Sequence, residues 1–269
     1  MNLNWLVIPT FLVALLLFWI GRQSIRRCQT QKSRIFIFAL WMLMSVPGCL
    51  MVLYYLHWFD DAKWLYEFRS LPFSELTAAG AGLLAGALAE LLGGARRISR
   101  PFLMTVLFLG IVIPYLKPLV TPIPSHRFSD RWQDDVCLQS TSSSCGAASA
   151  ATVFRALGLF LKEQDIAREC FTSLGGTENW YIARAFARRR CLVNFRVGEG
   201  FPADLRTPAI AGVRVGGAGH FIAIISSTNG MYVTGDPLVG NQTLPVNEIR
   251  QAFDFTGFFM EVQKEAMQY

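Results

Sequence analysis

The sequence predicts an N-terminal all-α transmembrane bundle of about four helices, followed by an α+β domain. Residues 3–20, 35–56, 76–94 and 102–120 are nearly charge-free. Each approaches the roughly 20 apolar residues that cross a hydrocarbon core as a helix. Pro118, Pro122 and Pro124 then mark an exit from the last span. Beyond them helical patterns come first and antiparallel strand patterns later, the order of an α+β domain. The boundaries are placed at 1–121 and 122–269.

The first span has no basic stretch before it, and its charges, Arg22, Arg26 and Arg27, follow it. That polarity is wrong for a cleaved secretory signal, so a retained anchor is expected. Trp5 and Trp19 flank this span, and Tyr54, Tyr55, Trp58, Trp64 and Tyr66 surround the next loop. Both groups suit an interfacial aromatic belt. The third span, 76–94, is the weakest, being rich in Ala and Gly and carrying Glu90. Gly82 and Gly86 in it form a small-xxx-small stripe that favours close helix packing. Glu90 reads as a carboxylate near the interface, toward Arg96 and Arg97, rather than as a buried functional group.

Cytoplasmic loops carry the excess of Lys and Arg. Arg22, Arg26, Arg27, Lys32 and Arg34 lie between spans one and two, and Arg96, Arg97 and Arg100 between three and four. The loop between two and three has only Lys63 and Arg69, beside Asp60, Asp61 and Glu67. The expected location is therefore a bacterial cell (inner) membrane, crossed several times, with residues 122–269 on the extracytoplasmic, periplasmic side. If 76–94 does not cross, the C-terminal domain flips to the cytoplasm.

The formal charge of +6 does not signal nucleic acid. Residues 1–121 hold 11 Lys/Arg against 5 Asp/Glu, whereas 122–269 hold 14 of each. The second domain thus lacks the electrostatic footprint of a phosphate-backbone binder. Of six cysteines, Cys137, Cys145, Cys170 and Cys191 lie in it. No CxxC pair or neighbouring His suggests zinc. Cys170 and Cys191 read either as a disulfide of an exported domain or as two small buried hydrophobes, and the second is favoured.

Along this domain, 125–136 is polar and read as surface. Helices are expected at 146–157, 162–170 and 178–190, then strands at 191–197 and 207–215. Gly216-Gly217 turns into a strand at 220–226, and Asn229-Gly230 is a hairpin signal leading to 231–235. A short helix at 247–253 and a strand at 257–263 close the chain.

The candidate chemistry lies in Gln139-Ser-Thr-Ser-Ser-Ser-Cys145-Gly-Ala-Ala. A thiol attacks as thiolate, and a helix N-terminus or a nearby imidazolium lowers its pKa. Cys145 opens a helical pattern; Ser142, Ser143 and Ser144 are candidate caps, and Gly146 would leave room for a substrate carbonyl. Gln139 with the Cys145 N–H would supply two oxyanion donors. His220 opens an apolar strand after flexible glycines and is the candidate base, with His126 its competitor in the linker. Asp236, in Gly235-Asp236-Pro237, would orient the imidazole. Each residue alone also has a structural reading: a buried thiol, a loop amide, a satisfied core histidine, a turn aspartate.

Together these segments resemble the bacteriocin-processing, double-glycine leader peptidase family. Pro208-Ala-Ile-Ala-Gly-Val, Gly219-His220-Phe-Ile-Ala-Ile-Ile, Gly235-Asp236-Pro237 and Phe255-Thr-Gly257 carry the likeness over residues 132–263. The resemblance implies a papain-like cysteine peptidase fold, a Cys145–His220 pair, Asp236 as orienter and Gln139 in the oxyanion hole. No metal or organic cofactor is implied. The chain departs from transporter-fused members, because it has no Walker-type phosphate loop and its expected topology is external. The substrate is therefore expected only to be a peptide or protein, membrane-associated or exported. Transfer of the acyl group to an amine, as in a transpeptidase, and a catalytically silent binding module tethered to the bilayer are the alternatives. The run Leu88-Ala-Glu-Leu-Leu-Gly93-Gly94-Ala95 also resembles a double-glycine cleavage site. It is read as the end of a span, on the face opposite to Cys145.

Overall fold

The computed structural model describes residues 4–54, 62–92 and 99–265. Gly93 and Gly94 lie outside them. The chain divides into two compact units. One comprises 4–54, 73–92 and 99–116. The other joins 62–72 to 117–265.

The chain begins with α1 (Val7–Arg27), α2 (Gln31–Met44) and α3 (Val46–Tyr54). Helix α4 (Lys63–Ser70) follows, then a 3-10 segment, Ser74–Gly80, that runs into α5 (Ala81–Leu91), and then α6 (Ser99–Val120). Among the described residues, α1 alone is a single helix long and apolar enough to cross a membrane. The second expected span breaks at Ser45, two residues before Pro47, which lacks the N–H to continue the ladder. The third, 76–94, is 3-10 over its first five residues, the end of the segment Ser74–Gly80. The four-span bundle is thus seen only in part.

The expected small-residue stripe is where α1 and α5 meet. A Cβ on Gly82 would collide with the Ala14 carbonyl, and one on Gly86 with the Phe18 carbonyl. Ser45 Oγ donates to the Gly80 carbonyl at 2.8 Å and accepts from Leu84 N at 3.2 Å. Glu90 pairs with Arg22 of α1 at 2.9 Å, while Arg96 and Arg97, toward which it was read, lie outside the described residues.

In the other unit a hairpin, β1 (Arg131–Gln133) and β2 (Val136–Leu138), precedes α7 (Cys145–Ala156), α8 (Glu163–Glu169) and α9 (Asn179–Ala187). Strands β3 (Cys191–Val197), β4 (Ala209–Val215), β5 (Ala218–Thr228), β6 (Met231–Asp236) and β7 (Gly240–Pro245) follow, then α10 (Val246–Ala252) and β8 (Asp254–Lys264). These six later strands form one antiparallel sheet in the order β3-β8-β4-β5-β6-β7. The expected α+β class holds. Asn229 and Gly230 take φ of 52° and 76°, as a two-residue hairpin between β5 and β6 requires. The core cluster joins Ala209, Ala211 and Val213 to Ile222, Ile224, Tyr232 and Phe259, with Phe201 and Ile249 packed in. Helix α7 packs on β5, where Ser149 Oγ donates to the Phe221 carbonyl at 2.9 Å.

Three elements were not expected. The β1–β2 hairpin lies in a stretch read as surface coil. Strand β7 is an edge strand, Gly-Asn-Gln-Thr-Leu-Pro, without apolar alternation. Helix α4, read as part of an inter-span loop, buries Leu65, Tyr66 and Arg69 within the C-terminal unit. Tyr66 stacks on Phe195 and meets Phe258 edge-on, and the Arg69 guanidinium lies 3.8 Å over the Trp180 ring. Arg184 of α9 donates to the carbonyls of Arg69, Ser70 and Leu71 at 2.7, 3.3 and 2.9 Å. These are the carbonyls that a helix end leaves unpaired. Arg184→Ala should therefore cost about 2–4 kcal/mol, since it orphans several buried acceptors at once. Chemical unfolding of the detergent-solubilised chain measures it, and a change below about 0.5 kcal/mol would rule this anchoring out.

Candidate active site

Cys145 is the first residue of α7, so its N–H has no acceptor inside the helix and faces the positive end of the dipole. The serine cap expected here does not form. Ser144 Oγ instead accepts from Thr141 N at 3.0 Å and donates to the Thr141 carbonyl at 3.1 Å, bracing the loop against the helix start. Gly146 also serves another purpose than expected. A Cβ there would stand 2.9 Å from Thr177 Cβ and 3.1 Å from Ile182 Cδ1. The glycine lets the helix start close on its neighbours, which is packing and not substrate room.

His220 lies near the start of β5 and is 8 % exposed. The antiparallel register, Ala223 opposite Gly235, returns Asp236 toward it. His220 Nε2 is 2.9 Å from Asp236 Oδ1, and Leu238 N–H donates to the same oxygen at 2.9 Å. With Nε2 engaged by Asp236, Nδ1 is the ring nitrogen left for the Cys145 thiol, which lies close enough to raise the pKa of the ring. Burial works against a charged ring. The hydrogen bonds to Asp236 and Cys145 and their negative charges outweigh it, and the His220 pKa is pushed up to about 9. Cys145, itself 8 % exposed, thus faces an imidazolium at neutral pH.

Gln139 follows β2 directly. Its backbone N–H donates to the Pro237 carbonyl at 2.9 Å, which ties it to the residue after Asp236. Its Nε2 donates to the Thr141 carbonyl at 2.9 Å, while Oε1 is buried and unpartnered. The amide has a second N–H. A groove of about 610 Å³ is lined by Gln139, Thr141, Val215, Gly219, His220 and Leu238, among others.

All four expected site residues therefore lie in one neighbourhood, with Cys145, His220 and Asp236 forming a continuous chain. His126 sits apart in an exposed 3-10 turn, Ser125–Arg127. Cys137 is fully buried, and its thiol pKa is raised by burial first and then by the charges of Glu163 and Asp130. Cys170 and Cys191 are both free and buried. Among the described residues no group of three or more His, Cys, Asp or Glu could hold a metal ion. Sequence reasoning missed Leu238, Ser140 and Glu163. No spacing rule announces them, because each acts on the site through a bond set by the fold.

The Peptidase C39 family profile matches residues 133–267. An uncharacterized protein of Methanothermobacter marburgensis is 31% identical over 129 residues, covering 47% of this chain and 87% of that protein. Among solved structures, the peptidase domain of Streptococcus ComA aligns with a TM-score of 0.42 at 20% identity, over 48% of this chain and 98% of that one. A double glycine motif protease from an AMS/PCAT transporter, in complex with its leader peptide, aligns with a TM-score of 0.41 at 21% identity, over 48% of this chain and 91% of that one.

Proposed function

The chain belongs to the Peptidase C39 family and is a cysteine-type peptidase, and we propose that Cys145, His220, Asp236 and Gln139 are the residues that perform its reaction, from a multi-pass membrane anchor. The observation that carries the catalytic part is the buried His220–Asp236 pair at 2.9 Å with Cys145 beside the ring, contacts that together push the His220 pKa up.

In this reading the Cys145 thiolate attacks the scissile carbonyl carbon of a peptide or protein. The oxyanion is received by the Cys145 N–H and the second N–H of Gln139. His220 delivers its proton to the leaving amine as the C–N bond breaks, leaving a thioester. The neutral imidazole then takes a proton from water, which attacks the thioester. Collapse expels the thiolate and releases a carboxylic acid, which loses its proton to solvent, so the thiolate–imidazolium pair is restored. The leaving amine must meet His220, so the part of the groove beside Val215, Gly219 and Leu238 receives the fragment after the cut.

Two observations support the membrane reading. Leu12, Leu16, Phe36 and Leu43 on α1 and α2 are exposed. Exposed apolar faces of this kind suit lipid contact rather than water. Helix α4 is built into the peptidase unit, so 62–72 and 117–265 share one side of any membrane. Residues 73–116 then cross an even number of times. The loop carrying α4 is poor in Lys and Arg relative to its flanking loops, which favours the outer face for both.

One probe tests both parts. A membrane-impermeant electrophilic peptide should label Cys145, and not Cys137, in spheroplasts, with its permeant form giving the same yield. Labelling only after lysis would overturn the orientation. Failure to label Cys145 in the lysate would overturn the catalytic assignment.

A further inference from the structure

We propose that Glu163 is a positioning residue that holds the loop of Gln139 in the geometry needed to receive the oxyanion. The inference rests on the reading of Gln139 given above. Glu163 opens α8 and is 0 % exposed, an unusual place for a carboxylate. Its hydrogen bonds go to a single residue. Ser140 N–H donates to Oε1 at 3.0 Å, and the Ser140 hydroxyl donates to Oε2. The hydroxyl in turn accepts from Ser129 N–H at 2.9 Å. Among the described residues no Lys or Arg forms an ion pair with Glu163, so the usual compensation for a buried carboxylate is missing.

Ser140 is the residue after Gln139. The peptide carrying its N–H is also the carbonyl end of Gln139, so gripping that N–H fixes the orientation of the Gln139 backbone. On its other side Gln139 is held by its own N–H on Pro237. Next in the chain, Thr141 is bound to Ser144, which adjoins Cys145. Gln139 is thus held from both sides, by Pro237 through its own N–H and by Glu163 through Ser140. An apolar residue would pack at this point of α8 without the cost of burying a charge. A planar two-oxygen acceptor is what meets an N–H and an O–H from one serine at once.

The role is separable from mere packing. Acylation of Cys145 by p-nitrophenyl acetate forms the S–C bond, builds an oxyanion and expels nitrophenolate. Alkylation by iodoacetamide forms the S–C bond as iodide leaves, with no oxyanion. In the full-length chain Gln139→Ala should slow acylation about 100-fold. Glu163→Gln keeps one acceptor but loses the second, and should slow acylation about tenfold. Both variants should alkylate within about twofold of the parent. In the Gln139→Ala background, Glu163→Gln should cost less than about twofold more, because the group it positions is gone.

Equal tenfold losses in both backgrounds, or no loss in either, would overturn the positioning role while Gln139→Ala alone still reports on the oxyanion reading. An unchanged rate in Gln139→Ala would overturn both together. Ser140→Ala, which removes only the hydroxyl, offers a milder variant should Glu163→Gln fold poorly. It should show the same dependence on Gln139, and independent losses there would count against the proposal equally.

Discussion

Replacing Cys145 with alanine should lower peptide hydrolysis by roughly 10⁴–10⁶-fold, to the level left by binding and the oxyanion donors alone. The fold should survive the change. Cys145 begins a helix whose next positions, Gly146, Ala147 and Ala148, are already small and buried. Loss of one sulfur at this helix start should cost about 1 kcal/mol or less. Cys145→Ser is nearly as severe, because a hydroxyl beside an imidazolium is scarcely ionised and attacks poorly. The measurement is turnover of a peptide that the parent chain cleaves, alongside the unfolding midpoint of each variant. Parent-like turnover in Cys145→Ala would remove the thiol from the mechanism. Cys137 could not stand in, since its buried thiol is held well above the usual range.

The site was legible in the sequence to different depths. Cys145, His220 and Asp236 could be found because each sits at an element boundary marked by glycine, proline or a change of period. The strand after Gly219, the Asn229-Gly230 turn and the Gly235-Asp236-Pro237 end together state that β6 returns beside β5. Glu163 was invisible because, among the described residues, its side-chain hydrogen bonds go to a residue 23 positions away, and its local pattern is that of any helix start. Strand β7 escaped because an edge strand needs no apolar alternation. The N-terminal unit was legible as composition but not as shape. Ser45 and Pro47 break one apolar run, and Ser74–Gly80 ahead of α5 winds as 3-10. Helix α4 shows the opposite failure. Its aromatic residues were read as an interfacial belt, whereas Tyr66 and Leu65 are core of the C-terminal unit.

Replacing Asp236 with alanine should lower kcat by about 10²–10⁴-fold, whereas asparagine should be milder. The difference follows from Leu238. Its N–H holds Oδ1 of residue 236 from behind, so an amide there keeps its oxygen toward His220 Nε2 and still accepts. What asparagine removes is the charge. The pH profile then reveals which form of His220 works. Its raised pKa means that the ring is protonated at neutral pH and loses its proton as pH rises through about 9. If the thiolate–imidazolium pair is the active form, the alkaline limb of kcat/KM lies near 9 in the parent. Asp236→Asn takes away a negative neighbour, lowers the His220 pKa and moves that limb down toward the ordinary histidine value of about 6.5. If a neutral His220 instead acted as base on a thiol, activity would climb through the same window and Asp236→Asn would shift the climb to lower pH. The direction of the slope between pH 7 and 9 therefore separates a preformed ion pair from general-base activation, with no need to know the natural substrate.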